Sequence, residues 1–284
     1  MKKILIENTD MLYENFESFM DGTQKGVIEL PVPVADITKW YKTPLTLTTF
    51  TGLSKEDVER VLYYTGWLVT KSGDTGPAEG TVLTQKEFLD AKERCGSGFG
   101  AMQGPDALTA AMEKFDIGSF AKGLREKEIS AMAEMEKLRG EDGVAEKDEG
   151  RYMELTGELS RIRALIDAET NALVIGKALS VTAIPLFPLC LRPVVKDMSD
   201  LLPYGVYHDL EELYGSVVSR AGRLRRLMEL GAPDVVMCDE KRLLQEAVDT
   251  LFANGMRGKP KTKRGTDIPL CSLADLLLAH TYFR

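Results

Sequence analysis

Residues 209–253 constrain the fold of this chain more than any other stretch. Leu210, Leu213, Val217, Ala221, Leu224 and Met228 recur at three- and four-residue steps. That spacing lines one face of an amphipathic helix. Gly231-Ala232-Pro233 should stop the helix, because glycine releases the backbone and proline cannot continue the ladder. A second helix is expected from Asp239, with Leu243, Leu244, Ala247, Val248 and Leu251 on one face and Asn254-Gly255 at its end. Two apolar-faced helices with a short connection pack antiparallel. The expected product is a projecting coiled-coil hairpin whose bend carries Val235, Val236 and Met237.

Directly after it, Arg257, Lys259, Lys261, Lys263 and Arg264 fall in nine residues with no acid among them. Gly258, Pro260 and Gly265 should keep this stretch flexible and out of regular structure. A basic loop beside a helical hairpin has the chemistry needed to contact a phosphate backbone. The global charge hides it. The 284 residues carry 36 basic and 44 acidic side chains, a net of −8, which argues against a chain coated in positive charge for non-specific nucleic-acid binding. Yet residues 215–284 hold 12 basic and 8 acidic side chains, against 24 and 36 in residues 1–214.

The remainder divides by texture. Residues 1–25 are polar, with Met11, Leu12, Phe16 and Phe19 at helical spacing. Residues 26–82 read as short strands at 27–30, 45–50 and 67–70, punctuated by Pro31, Pro33, Pro44 and Gly73. Ser54, with Asp57 three residues on, should cap a short helix between the last two. Residues 84–170 are helical and densely charged: Thr84 caps one helix and Pro105 opens another. A long pair of helices should break near residues 140–143 and form a solvated hairpin. Leu179–Val195, with Pro185, Pro188 and Pro193, should be stiff and extended.

Other classes of function find little support. No apolar run reaches the roughly 18–20 residues that span a bilayer. Cys95, Cys190, Cys238 and Cys271 form no close pair, and His208 and His280 are the only histidines. A metal site or a disulfide framework is therefore not expected, and a reduced, cytoplasmic protein is. Gly96-Ser97-Gly98-Phe99-Gly100 lacks the Lys-Ser/Thr that would follow in a phosphate-binding loop.

Specific runs carry a family resemblance. They are Leu191-Arg192-Pro193, Asp209-Leu210-x-x-Leu213-Tyr214, Arg223-Leu224-x-Arg226-Leu227, Gly231-Ala232-Pro233-Asp234, and Glu240-Lys241-Arg242-Leu243-Leu244-Gln245-Glu246-Ala247-Val248-Asp249 with Asn254-Gly255-x-Arg257-Gly258. Together they resemble the β′ subunit of bacterial DNA-directed RNA polymerase. Gly26–Leu30, Asp57–Tyr63 and Leu83–Ala91 follow the same family in order, so the likeness covers roughly residues 26–276.

The resemblance implies the clamp region, an α+β and predominantly helical module. Its expected parts are a divergent segment 1–25, a clamp body 26–178 with a helical-hairpin insertion, and a lid-like segment 179–208. A clamp-helix hairpin 209–254 and a rudder-like basic loop with a switch-like end, 255–284, follow. By position, Arg220, Arg223, Arg226, Leu227 and Glu240 match sigma-contacting positions, and Arg257, Lys259, Lys261, Lys263 and Arg264 match the loop that lies near nucleic acid. The implied partners are a sigma factor, the β subunit and the rest of β′, DNA and RNA, with no membrane.

Departures from the family shape the expectation. Residues 1–25 hold no cysteine where the family has a zinc ribbon, and the magnesium-binding Asn-Ala-Asp-Phe-Asp-Gly-Asp motif does not occur. Neither zinc nor magnesium is expected here, and no nucleotidyl transfer by this chain alone. The lid-like segment is more apolar than in the family, Cys238 stands where an arginine is common, and Leu276–Arg284 replaces a basic run. The chain thus resembles a partial polymerase subunit. The alternative is a free-standing clamp mimic that binds or sequesters sigma.

Overall fold

In the computed structural model, residues 26–41, 44–140, 143–144, 148–186 and 209–276 are described. The expectations for residues 1–25, for the greater part of the lid-like segment, and for the last eight residues lie outside them. Among the described residues the chain is mainly helical, with short antiparallel strands.

The body begins with β1, Val27–Ala35, which pairs antiparallel with β7, Ser180–Pro185, so that Val27 faces Pro185 and Ala35 faces Ser180. This strand was expected to stop at Pro31. It continues because Pro31 and Pro33 fall within the register break between Glu29 and Val34, where a missing donor costs no ladder bond. The extended reading of residues after Leu179 holds for β7.

A larger correction concerns residues 45–50, read above as a strand. They belong to the helix Pro44–Thr51 (α2), which follows the single turn Ile37–Trp40 (α1). The β-branched threonines favour a strand only weakly. Here proline occupies the first helical position, and helical spacing buries Leu47 and Phe50 together. Burial of these two side chains outweighs the few tenths of a kcal/mol of propensity.

Helix α3, Lys55–Leu62, starts under the Ser54 cap, whose hydroxyl accepts from the Asp57 N–H. Strand β2, Trp67–Ser72, runs between β3, Val82–Leu83, and β4, Phe99–Met102, in a small antiparallel sheet. Thr84 caps α4, Gln85–Cys95, as expected, and Glu87 completes a reciprocal capping box with it. Pro105 opens α5, Pro105–Glu113. The charged stretch becomes α6, Ile117–Leu138, and α7, Glu149–Ala178, packed on each other, with the two-residue antiparallel strands β5, Arg139–Gly140, and β6, Gly143–Val144, between them. Gly96–Gly98 forms a tight turn leading from α4 into β4, which is a connection and not a phosphate cradle.

Two apolar cores meet along the last helix. One gathers Trp40, Leu47, Phe50, Val61, Leu62 and Leu108. The other joins Ile184, Leu213, Tyr214, Val217, Leu224 and Leu244.

Candidate functional site

The candidate site is built on α8, Asp209–Glu229, α9, Asp234–Ala253, and the loop that follows. The expected seam forms: Leu210, Leu213, Val217, Ala221 and Leu224 pack with Leu244, Val248 and Leu251, all at most 1% exposed. Gly231, with φ +63, closes the first helix. The Ala232 N–H reaches the Leu227 carbonyl and the Gly231 N–H the Met228 carbonyl, so the orphan carbonyls of the last turn are satisfied.

Two expectations at the bend are corrected. Met228 lies outside the seam and is 45% exposed. The second helix starts at Asp234 rather than Asp239, with Val235 and Val236 in its first turn. An acidic residue there interacts favourably with the helix N-terminus. Leu230, Val235 and Val236 are exposed, so the bend presents apolar surface. The body follows the hairpin nearly to this point. Arg225 donates to the Glu29 carbonyl, the Cys238 thiol reaches Gln103 Oε1 at 3.3 Å, and Lys241 lies over the Tyr64 ring.

Glu240 organises the arginine stripe. Its carboxylate is almost wholly buried, 2.9 Å from Arg223 Nη2 and 3.7 Å from Arg220 Nη1. Both guanidinium groups keep exposed surface, as does Arg226 one turn on, beside half-buried Leu227. Of the five expected residues, the structure brings Arg220 and Arg223 onto Glu240, while Arg226 and Leu227 follow along the same helix. It gives Glu240 a different posture from the others, facing inward and holding two arginines.

The basic loop departs from the flexible segment expected. Asn254, just past α9, donates to the carbonyls of Lys261 and Leu270 and accepts from the Lys261 N–H, each at 2.8 Å. Thr262 bridges Pro269, and the Lys263 N–H meets the Ile268 carbonyl at 2.8 Å. Residues 261–270 thus fold back as a small hairpin, with Gly265 at φ +76 in its turn. Local glycine and proline predicted irregularity, whereas one asparagine amide supplies the missing hydrogen bonds.

Its cations are unequally engaged. Lys261 pairs with Glu212 at 3.0 Å and Lys263 with Asp209 at 3.1 Å. Burial opposes ionisation of Asp209, but the Cys271 N–H and the Lys263 ammonium outweigh it and hold the carboxyl below its ordinary value. Arg257 stacks over the Tyr63 ring at 3.7 Å and lies 3.8 Å from Glu59. Lys259 and Arg264 make no ion pair among the described residues.

Beneath the loop is a polar joint that the pattern reading missed. Gln245 is fully buried and bonds both the N–H and the carbonyl of Ala35, at 2.7 and 2.8 Å. Its amide also donates to Asp249 Oδ1 at 2.8 Å, while Asp249 Oδ2 accepts from the Tyr63 hydroxyl at 2.5 Å. Burial pushes the Asp249 carboxyl up to about 7, against the pull of Tyr63, Gln245 and Arg257. Burial likewise raises the Tyr63 phenol, reinforced by Asp249. The available signal was two polar residues, Gln245 and Asp249, each next to a seam position of an otherwise apolar helix face. Among the described residues no group of three or more His, Cys, Asp or Glu could hold a metal ion. No helix among them is long and apolar enough to cross a membrane.

The family described as RNA polymerase Rpb1, domain 1, matches residues 15–278. The chain is 34% identical over 254 residues to the DNA-directed RNA polymerase subunit beta' of Symbiobacterium thermophilum, covering 89% of this chain and 19% of that protein. The subunit from Alkaliphilus oremlandii is 36% identical over 260 residues, with the same coverage. That of Vibrio parahaemolyticus is 34% identical over 254 residues, or 16% of its length. The chain thus spans about a fifth of the length of the relatives it matches. With the match running from before β1 to beyond the basic loop, this chain belongs to the RNA polymerase Rpb1 domain 1 family.

Proposed function

We propose that this chain serves transcription as the clamp part of a β′-type polymerase subunit, with the hairpin Asp209–Ala253 as its sigma-docking element. One observation carries the reading: buried Glu240 holds Arg220 and Arg223 so that both keep exposed surface on the outer side of the hairpin. Preorganised guanidinium groups lose less side-chain entropy on meeting carboxylates. Arg226, Leu227 and the apolar bend at Leu230, Val235 and Val236 continue that surface. An acidic and apolar partner helix matches this chemistry, which is what a sigma factor would have to offer.

The basic loop is the second half of the proposal: it lies against the phosphate backbone of DNA or RNA. Lys259 and Arg264 have no competing carboxylate among the described residues, while Lys261 and Lys263 would have to exchange theirs for phosphate.

Capture of purified sigma factor by the full chain tests the hairpin. Arg223→Glu with Arg226→Glu should weaken capture at least about tenfold, since each like-charge contact costs 1 kcal/mol or more. Capture indifferent to both changes overturns the docking role. Co-purification with the β subunit distinguishes a polymerase part from a free-standing sigma binder. For the loop, Lys259→Ser with Arg264→Ser should reduce the slope of log affinity against log salt by about 1.5–2 for duplex DNA. An unchanged slope removes nucleic acid from the proposal.

A further inference from the structure

Asp249 is a carboxylate with one donor from each of two elements and a cation nearby. From its own helix come Gln245, which donates to it, and Glu246, which repels it. From the end of α3 come the Tyr63 hydroxyl and, one turn earlier, Glu59. From the basic loop comes Arg257, stacked on the Tyr63 ring and attracted by the ionised carboxylate. β1 contributes the backbone of Ala35 through Gln245 and no ionisable side chain. A cavity of about 290 Å³ opens beside this cluster, lined by Ile37, Glu246, Asp249, Thr250, Arg257 and Lys259 among others. Water in such a cavity gives a proton a route to an otherwise buried group.

We propose that the Tyr63–Asp249 contact is a proton-operated joint that ties the start of the basic loop to the foot of the hairpin. With Asp249 ionised, its two oxygens accept from Tyr63 and Gln245, and its charge draws Arg257 onto the Tyr63 ring. A proton entering from solvent through the cavity neutralises Asp249. The new Asp249 O–H points into the cavity that Asp249 itself lines, and the Tyr63 hydroxyl is left donating to a neutral, weaker acceptor. Arg257 loses the charge that drew it inward and is left with Glu59 and the ring face, both half-exposed contacts of small value. Gln245 remains on Ala35 in either state, so the hairpin stays docked while the loop is released. The position of this carboxyl near 7 puts the change in the physiological range.

This device does not depend on what the loop or the hairpin binds, and it is tested on the free chain. Hydrogen exchange of residues 256–259, corrected for the intrinsic pH dependence of exchange, is measured from pH 5.5 to 8.5. Exchange should be at least about threefold faster on the acid side, as expected for a local opening that becomes easier. The midpoint should lie near 7. Asp249→Asn, neutral at every pH, should hold the loop at the fast limit with no step. Tyr63→Phe removes a donor that favours the ionised form, so its midpoint should move upward. Should Asp249→Asn fail to fold, the Tyr63→Phe displacement decides alone. A flat wild-type profile, a step that persists in Asp249→Asn, or an unmoved midpoint in Tyr63→Phe overturns the joint. The last two outcomes would assign the titration to another group, such as His208 or His280.

Discussion

The two helical hairpins of this chain reach similar shapes by different means. In α8 and α9 an unbroken apolar seam runs from Leu210 to Leu224 against Leu244, Val248 and Leu251, and the helices are also tied to β1 and Tyr63 by buried polar side chains. In α6 and α7 the cluster at the distal part is Ala131, Leu155 and Leu159, with Met135 and Leu138 partly covered. Ion pairs such as Arg163–Glu128 at 2.9 Å lie on the outside. Ile129 and Met153 remain exposed. Both hairpins pack on the body: the first through buried polar side chains as well as apolar contact, the second through apolar contact, with Phe120 of α6 against Phe50 and Phe115 and α7 against α2 and α5.

The largest effect that could break this comparison is a cavity in the seam. Leu224→Ala, at a fully buried position, should cost about 2–5 kcal/mol in urea denaturation. Leu159→Ala, 7% exposed in the smaller cluster, should fall at or below the bottom of that range. Equal losses would mean that the two cores are packed alike.

Next in size is the polar joint. Gln245→Ala leaves the N–H and carbonyl of Ala35 without their partner in a buried setting. A loss of about 1–3 kcal/mol is expected, with faster amide exchange at Ala35 than at the Thr84 cap. A loss confined to a few tenths would show that water replaces the amide.

The pH dependence tests the polar joint at the foot of the first hairpin further. The folded-state value of Asp249, about 7, lies above the ordinary 3.8, so the folded chain holds this proton more tightly than the unfolded one. That contribution is complete below the unfolded value and is lost as pH rises through about 7. The wild type should therefore lose stability relative to Asp249→Asn by about 1 kcal/mol per pH unit across pH 5–7, and level off above. Parallel denaturation profiles for the two proteins would refute the shift. Smallest of all, Arg163→Ala should change stability by no more than about 0.5 kcal/mol, in line with a solvated pair. A larger loss would show that the surface pairs set the second hairpin's position.

Much of this was legible in the residues. The seam, the Gly231 stop, the caps at Ser54 and Thr84, the Pro105 start and the charged hairpin all depend on neighbours within a few positions. Residues 45–50 were misread because β-branched threonines outweighed the helical spacing of Leu47 and Phe50, whose burial was invisible locally. Asn254 was read as a helix stop, which it is, but its hold on Lys261 and Leu270 joins backbone that no periodicity links. Among the site residues, the arginine stripe was visible as a stripe. Glu240's inward posture and the Tyr63–Asp249 contact, 186 residues apart in the chain, were not.

The order of residues by itself determined the helical hairpins, the Gly231 stop, and a concentration of positive charge after residue 215, because periodicity, capping and charge act over one or two turns. Only the tertiary structure decided which of those charges stay available and which polar groups are buried. Whether a cation meets a carboxylate, or a carboxyl loses its water, depends on chain segments that come together only on folding. Lys261 and Lys263 thus became paired, and Asp249 became a buried acid poised near neutrality.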